Sequence, residues 1–146
     1  MSGSGSLTMN RLSVSASAAE ALVSAAQGRA QEIGNAVVIV VCDVDGLPKA
    51  LLRMDGASSM SLRLAHDKAA TAASFGVSTE QWFDLIKDDG ALLNGVPSSP
   101  GFSIIGGGYP LRSGGQLVCA IGVSGGAPAE DVDCARTAAA ALGFEA

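Results

Sequence analysis

Between residues 15 and 33 the apolar side chains Ala18, Leu22, Ala26, Ala30 and Ile33 recur every three or four positions, the period that lines one face of an α-helix. Gly34-Asn35 follows at once and supplies a helix stop. The period then changes: residues 36–42 read Ala-Val-Val-Ile-Val-Val-Cys, apolar at every position and mostly β-branched, which predicts a short strand buried on both faces. Asp45-Gly46 provides hairpin-turn chemistry, and residues 49–54 return as an antiparallel partner.

A second helical stripe, Leu62, Ala65, Ala69 and Ala72, predicts a helix over residues 58–75 that Gly76 ends. Ser78 and Gln81 have the spacing of a capping box, opening a third helix that carries Trp82, Phe83, Leu85 and Ile86 and stops near Asp89-Gly90. Residues 90–101, with Pro97 and Pro100, predict a mobile loop. Residues 102–111 read as one strand interrupted by Gly106-Gly107-Gly108, Ser113-Gly114-Gly115 turns the chain, and residues 117–123 return beside it. Pro128 suits the first turn of a last helix, whose Glu130, Asp131 and Asp133 sit near its positive end while Val132, Ala135, Ala139 and Leu142 face inward. The order α-β-β-α-α-β-β-α predicts an α+β fold, a central antiparallel β-sheet flanked by helices. It reads as a single domain over residues 11–146 behind a flexible N-terminal tail, residues 1–10.

Composition narrows the function. Hydrophobic residues make up 48% of the 146 and charged residues 16%, so the chain is folded. Nine Lys plus Arg against fourteen Asp plus Glu give a net charge of -5, which opposes binding to a phosphate backbone. The 4% aromatic content leaves little to stack on bases. No nucleic-acid partner is expected. The longest strongly apolar run, residues 36–42, falls far short of the roughly 20 residues that span a bilayer, so no membrane partner is expected either. Three widely spaced cysteines, Cys42, Cys119 and Cys134, suit neither a zinc motif nor a disulfide framework. With no secretory signal in the opening residues, a cytoplasmic location is expected.

The chemistry-bearing residues are few. His66 is the sole histidine, the one side chain whose ordinary pKa lies near neutrality and the commonest metal ligand. As a general base it needs an orienting partner, and Asp55, Asp67 or a backbone carbonyl would serve. Lys68 projects from a different face of the same helix. The run Gly106 to Gly108 suggests an anion cradle of backbone N–H groups, but it lacks the Lys-Ser/Thr of a phosphate loop; strand glycines more often mark a bulge or a place where another chain or a ligand comes close to the backbone. Gly122-Val123-Ser124-Gly125-Gly126 has only a surface likeness to a nucleophile elbow, and Ser124 reads as a turn or cap residue. Arg53 and Asp55 read as a surface ion pair.

Four blocks in order, Arg53-Met54-Asp55-Gly56-Ala57, Lys68-Ala69-Ala70-Thr71-Ala72, Gly107-Gly108-Tyr109-Pro110-Leu111 and Ala120 to Gly126 followed by Asp131, resemble the GlcG/HbpS-like family of haem-binding and haem-degrading proteins. The resemblance covers residues 12–142. It implies a profilin-like fold, assembly as a homo-oligomer (dimer or larger), and a ligand site around Lys68, Thr71, Gly107, Gly108 and Tyr109. It also makes haem the cofactor to test, with His66 as the only histidine able to ligate its iron and with Met54, Met60, Thr71 or Tyr109 as fallbacks. No Cys-x-x-Cys-His is present, so c-type attachment is excluded.

Three functions follow as expectations. The first is a small-ligand-binding protein, for haem or another tetrapyrrole, acting as sensor or accessory factor. The second is a small cofactor-free enzyme of isomerase, lyase or cyclase type with His66 as general acid/base and Lys68 and Asp55 beside it, in a pocket formed by the His66 helix, the Asp55 turn and the glycine-rich hairpin. The third is an assembly subunit whose glycine hairpin is interface.

Overall fold

The computed structural model describes residues 5–146. Of the expected tail, residues 1–4 lie outside the described residues, and residues 5–10 carry no helix or strand. The elements are α1 (Ala16–Ile33), β1 (Val38–Cys42), β2 (Pro48–Arg53), α2 (Ser59–Phe75), α3 (Thr79–Ile86), α4 (Gly90–Gly95), β3 (Gly108–Ser113), β4 (Gln116–Ser124) and α5 (Pro128–Leu142), with one 3₁₀ turn, Val96–Ser98, after α4. All four strands are antiparallel in the order β2-β1-β4-β3.

Strand alternation divides the sheet into two faces. Val37, Ile39, Val41, Cys119, Ile121 and Val123 join Leu22 and Ala26 of α1 and Ala135, Ala138 and Ala139 of α5 in the larger core. Val38, Val40, Cys42 and Ala120 meet Ala65, Ala69, Ala72 and Ala73 of α2 on the other face. The fully buried pattern of β1 follows from this sandwiching, as its unbroken apolar run required. Caps fall where the sequence places them. Ser15, Ser58 and Ser78 accept hydrogen bonds from backbone amides at the starts of α1, α2 and α3, and Gly34, Gly76 and Gly143 close α1, α2 and α5 in the left-handed conformation.

Three expectations are corrected. Residues 90–101 are not an open loop: Asp89 accepts from the amides of Ala91 and Leu92 and caps α4, so the Asp89-Gly90 pair opens a helix where it read as an end. The strand expected over residues 102–111 begins only at Gly108. The hydroxyls of Thr71 and Thr79 capture the amides of Ser103 (2.9 Å) and Gly108 (3.0 Å), so side chains take backbone donors that a longer ladder would have used. The Arg53–Asp55 ion pair is not formed; among the described residues neither has a salt-bridge partner.

All three cysteines are buried and reduced. Burial pushes the thiols of Cys42 and Cys119 up to about 12 and that of Cys134 up to about 11, so they pack as small apolar side chains.

Outside the core, Arg29 of α1 grips Asp133 of α5 through Nε (3.1 Å) and Nη2 (2.8 Å). This hydrogen bonding holds the Asp133 carboxyl below the usual carboxylate range. A carboxylate with a depressed folded pKa contributes stability above its unfolded value of about 4 and loses it as pH falls through the folded one. Asp133→Asn should therefore lower the melting temperature at neutral pH, and its deficit against the parent should shrink towards pH 3; an unchanged deficit across that range would remove the pair from the stability argument.

Candidate functional site

The site is built on α2, and its position is set by glycine. Gly108 of β3 and Gly122 of β4 are direct cross-strand partners on the α2 side of the sheet. A Cβ on Gly108 would lie 2.3 Å from the Lys68 carbonyl oxygen, and one on Gly122 would lie 2.0 Å from that of Ala65. The helix backbone thus rests directly on the two glycines, which is why α2 presents alanine towards the sheet. What comes close to the glycine backbone is α2 of the same chain, in place of the expected second chain or ligand. The glycine hairpin is therefore a helix seat, with no room left between it and α2 for the pocket expected there.

Seating α2 this way carries Lys68 inward. Its ammonium, with the side chain 2% exposed, donates to the Val123 carbonyl (2.8 Å) and to Asp131 Oδ2 (3.2 Å), while the Gly126 amide donates to Asp131 Oδ1 (2.9 Å). Burial pulls the Lys68 pKa down and pushes that of Asp131 up, each opposed by its partner's charge. Lys68 thereby ties α2 to the start of α5 across the end of the sheet. Sequence reasoning gave Asp131 only a place near the helix dipole; its occurrence in the same set of matching blocks as Lys68 was the available signal.

The remaining expected residues separate. Thr71 is buried and donates to the Gly101 carbonyl (3.3 Å) while accepting from Ser103, so it anchors the chain that crosses α2. Tyr109 is buried on the other face of the sheet, its phenol hydrogen-bonded to the Glu80 carboxylate. Asp55 is exposed in the turn before α2, and among the described residues it forms no ion pair and no side-chain hydrogen bond. Met54 packs against the α1/α5 core, which withdraws it from ligation, whereas Met60 is 70% exposed.

His66 is half-buried, and its Nε2 lies 2.9 Å from the Gly46 carbonyl oxygen in the β1–β2 turn. A carbonyl only accepts, so Nε2 is the donor, and in the neutral ring the lone pair lies on Nδ1. Of the three orienting partners open to it in the sequence, the structure selects the backbone carbonyl. Lys68 points elsewhere, as its helix position requires, so the two do not share a site.

Along the outward side of α2 the structure forms two hollows. One, of about 340 Å³, is lined by Met60, Arg63, Leu64, Asp67, Pro97 and Phe102. The second, of about 270 Å³, is lined by Ala70, Thr71, Ser74, Phe75 and the same Pro100-Gly101-Phe102 turn. The helix positions involved step by three and four, so the hollows form one groove beside α2, roughly 20 Å long at the helical rise per residue. His66 is the i+3 neighbour of Arg63 and the i−4 neighbour of Ala70 on the same helix, but it lines neither hollow, and its ring is turned to the Gly46 carbonyl. Phe75 stacks on Trp82 (centroids 5.0 Å apart) and touches Phe102 (5.3 Å), closing one end with an aromatic cluster.

Comparison with known proteins follows the same lines. Residues 14–140 match the family model described as haem degrading protein, HbpS-like. The corrinoid adenosyltransferase PduO of Salmonella typhimurium is 37% identical over 123 residues, which is 83% of this chain and 36% of that protein. This chain thus spans about a third of that relative. Among solved structures, a double-mutant form of Streptomyces reticuli HbpS superposes with a TM-score of 0.86 at 29% identity, covering 97% of this chain and 95% of the other. A PduOC:haem complex superposes with a TM-score of 0.83 at 30% identity, covering 92% and 98%. No described helix is long and apolar enough to cross a membrane.

Proposed function

The chain belongs to the HbpS-like haem-degrading family, and from that membership we propose that it binds haem or a related tetrapyrrole in the groove beside α2, as a sensor or accessory protein. One observation carries the reading: a relative that matches this fold over 98% of its own length is a haem complex. The residues of this chain fit such a group. His66, at the next helix position beside the groove residues, is oriented by Gly46 through Nε2 and has no hydrogen-bond partner on Nδ1 among the described residues, so a rotation of its side chain towards the groove would let it ligate iron. Met60, Leu64, Pro100 and Phe102 give apolar surface for the macrocycle, and Arg63, 76% exposed and only 3.9 Å from Asp67 in a long ion pair, gives a cation that a propionate could take over. When bound, the group would supply an iron centre whose redox behaviour the ligating side chain would tune.

The enzymatic alternative loses support from the same geometry. Lys68 is sealed in an ion pair and Asp55 is turned to solvent, so His66 has neither expected companion beside it.

Titrating the protein with hemin should give a Soret band distinct from free hemin that saturates at a fixed stoichiometry. His66→Ala should shift that band and weaken binding, with the far-UV spectrum unchanged. A titration indistinguishable from free hemin sinks the proposal; an unaltered band in the variant removes His66 as ligand.

A further inference from the structure

A third cavity, away from the α2 groove, lies at the free edge of the sheet. It measures about 460 Å³, and its walls are the 76–81 turn on one side, Tyr109, Pro110 and Arg112 of β3 on another, and Arg136 of α5. Volume in this range suits a small organic molecule. Its chemistry sets it apart in a chain of net charge -5: two guanidinium groups face one cleft, and among the described residues neither has a carboxylate within ion-pair distance.

Arg112 is held from both ends. Its backbone exchanges two hydrogen bonds with Glu145 (2.8 and 2.9 Å), and its Nη2 donates to the Gly76 carbonyl (2.9 Å). One donor of the five is thus spent fixing the plane of the guanidinium, and the rest stay available. Arg136 is exposed on α5 and can adjust. Glu80, the one carboxylate side chain in the wall, is occupied by the Tyr109 phenol, and Ala146 also lines the cavity.

We infer that this cleft binds the carboxylate of a small organic acid, with Arg112 as the fixed partner and Arg136 as the adjustable one. A planar guanidinium and a carboxylate match in a two-bond fork. Pro110 and Val77 give the acid's body an apolar rest. Glu80 in the wall disfavours a doubly charged phosphate more than a single carboxylate, because like charge at short range costs in proportion to its magnitude. The site is independent of the haem reading, since it shares no lining residue with the α2 groove.

The test is an NMR titration of the full ¹⁵N-labelled chain with benzoate and, separately, with inorganic phosphate. Benzoate should shift the amides of residues 76–81 and 109–112 saturably and more tightly than phosphate does. Arg136→Met, at an exposed position, should leave the rest of the spectrum intact and weaken benzoate about tenfold, the loss of one charge-assisted bond. Arg112→Met should abolish the shifts, and His66→Ala should leave them unchanged. Absence of saturable benzoate shifts, tighter binding of phosphate, or full benzoate affinity in Arg136→Met would each overturn the assignment.

Discussion

Lys68→Met should destabilise the protein by about 3–5 kcal/mol, the usual cost of removing one member of a buried ion pair. The cost comes from what is left behind. Without the ammonium, Asp131 keeps a charge in a site where its side chain is 3% exposed, with the Gly126 amide as its remaining close donor, and the Val123 carbonyl loses its Lys68 donor as well. The pair itself is not a source of stability. Asp131 has a raised folded pKa, so its contribution is fully present only below its unfolded value near 4 and is lost as pH rises through the folded one. Lys68 has a depressed folded pKa, so its contribution is present above its unfolded value near 10 and is lost as pH falls through the folded one. At neutral pH both shifts therefore count against the charged forms. It follows that Lys68→Met combined with Asp131→Asn should be markedly more stable than Lys68→Met alone, because asparagine keeps an acceptor for the Gly126 amide and carries no charge. Urea midpoints at constant m-value measure this. A double variant no more stable than Lys68→Met alone would show that a stranded Asp131 charge is not what destabilises the single variant.

Most of the fold is legible in the sequence because it is written in short-range signals. The stripe in α1, the unbroken β-branched run of β1, the Ser78–Gln81 box of α3 and Pro128 at the head of α5 each act within a turn or two of chain, and each lies where the pattern puts it. The misplaced strand start has a long-range cause. Residues 102–107 have strand composition, but the Ser103 amide is claimed by Thr71, thirty-two positions earlier, and the Gly108 amide that follows the segment is claimed by Thr79. Nothing local to a segment announces that a distant hydroxyl will compete for its amides. The site divides in the same way. The helix position of Lys68 separates it from His66 without reference to any other part of the chain. Its partner Asp131 lies sixty-three positions away, and only the seating of α2 brings the two within reach. The groove beside α2 depends on where the 97–102 segment crosses the helix, which no periodicity encodes.

That seating is the subject of the second large effect: Gly122→Ala should cost about 3 kcal/mol or more, at the upper end of what overpacking does to a core. The added methyl would lie 2.0 Å from the Ala65 carbonyl oxygen and 2.7 Å from the Ala69 amide nitrogen, both backbone atoms of α2. No rotamer change relieves such a contact. Gly122 is buried in the middle of the sheet, paired with Val40 on one side and Gly108 on the other, so β4 cannot retreat without breaking two ladders. The helix must move instead, and with it the Lys68 ammonium, the Thr71 anchor of the 101–103 segment and His66 above the Gly46 carbonyl. Loss of stability and loss of hemin affinity should therefore appear together in this one variant, although Gly122 lines no groove. Gly28→Ala is the matched control. It lies within α1, where an added Cβ meets nothing within 4 Å, and there alanine should stabilise by about 0.5–1 kcal/mol through helix propensity. Chemical denaturation and hemin titration of both variants decide the matter. If Gly122→Ala unfolds at the same urea concentration as the parent, α2 does not rest on the sheet through glycine, and the placement of the groove that follows from it is wrong.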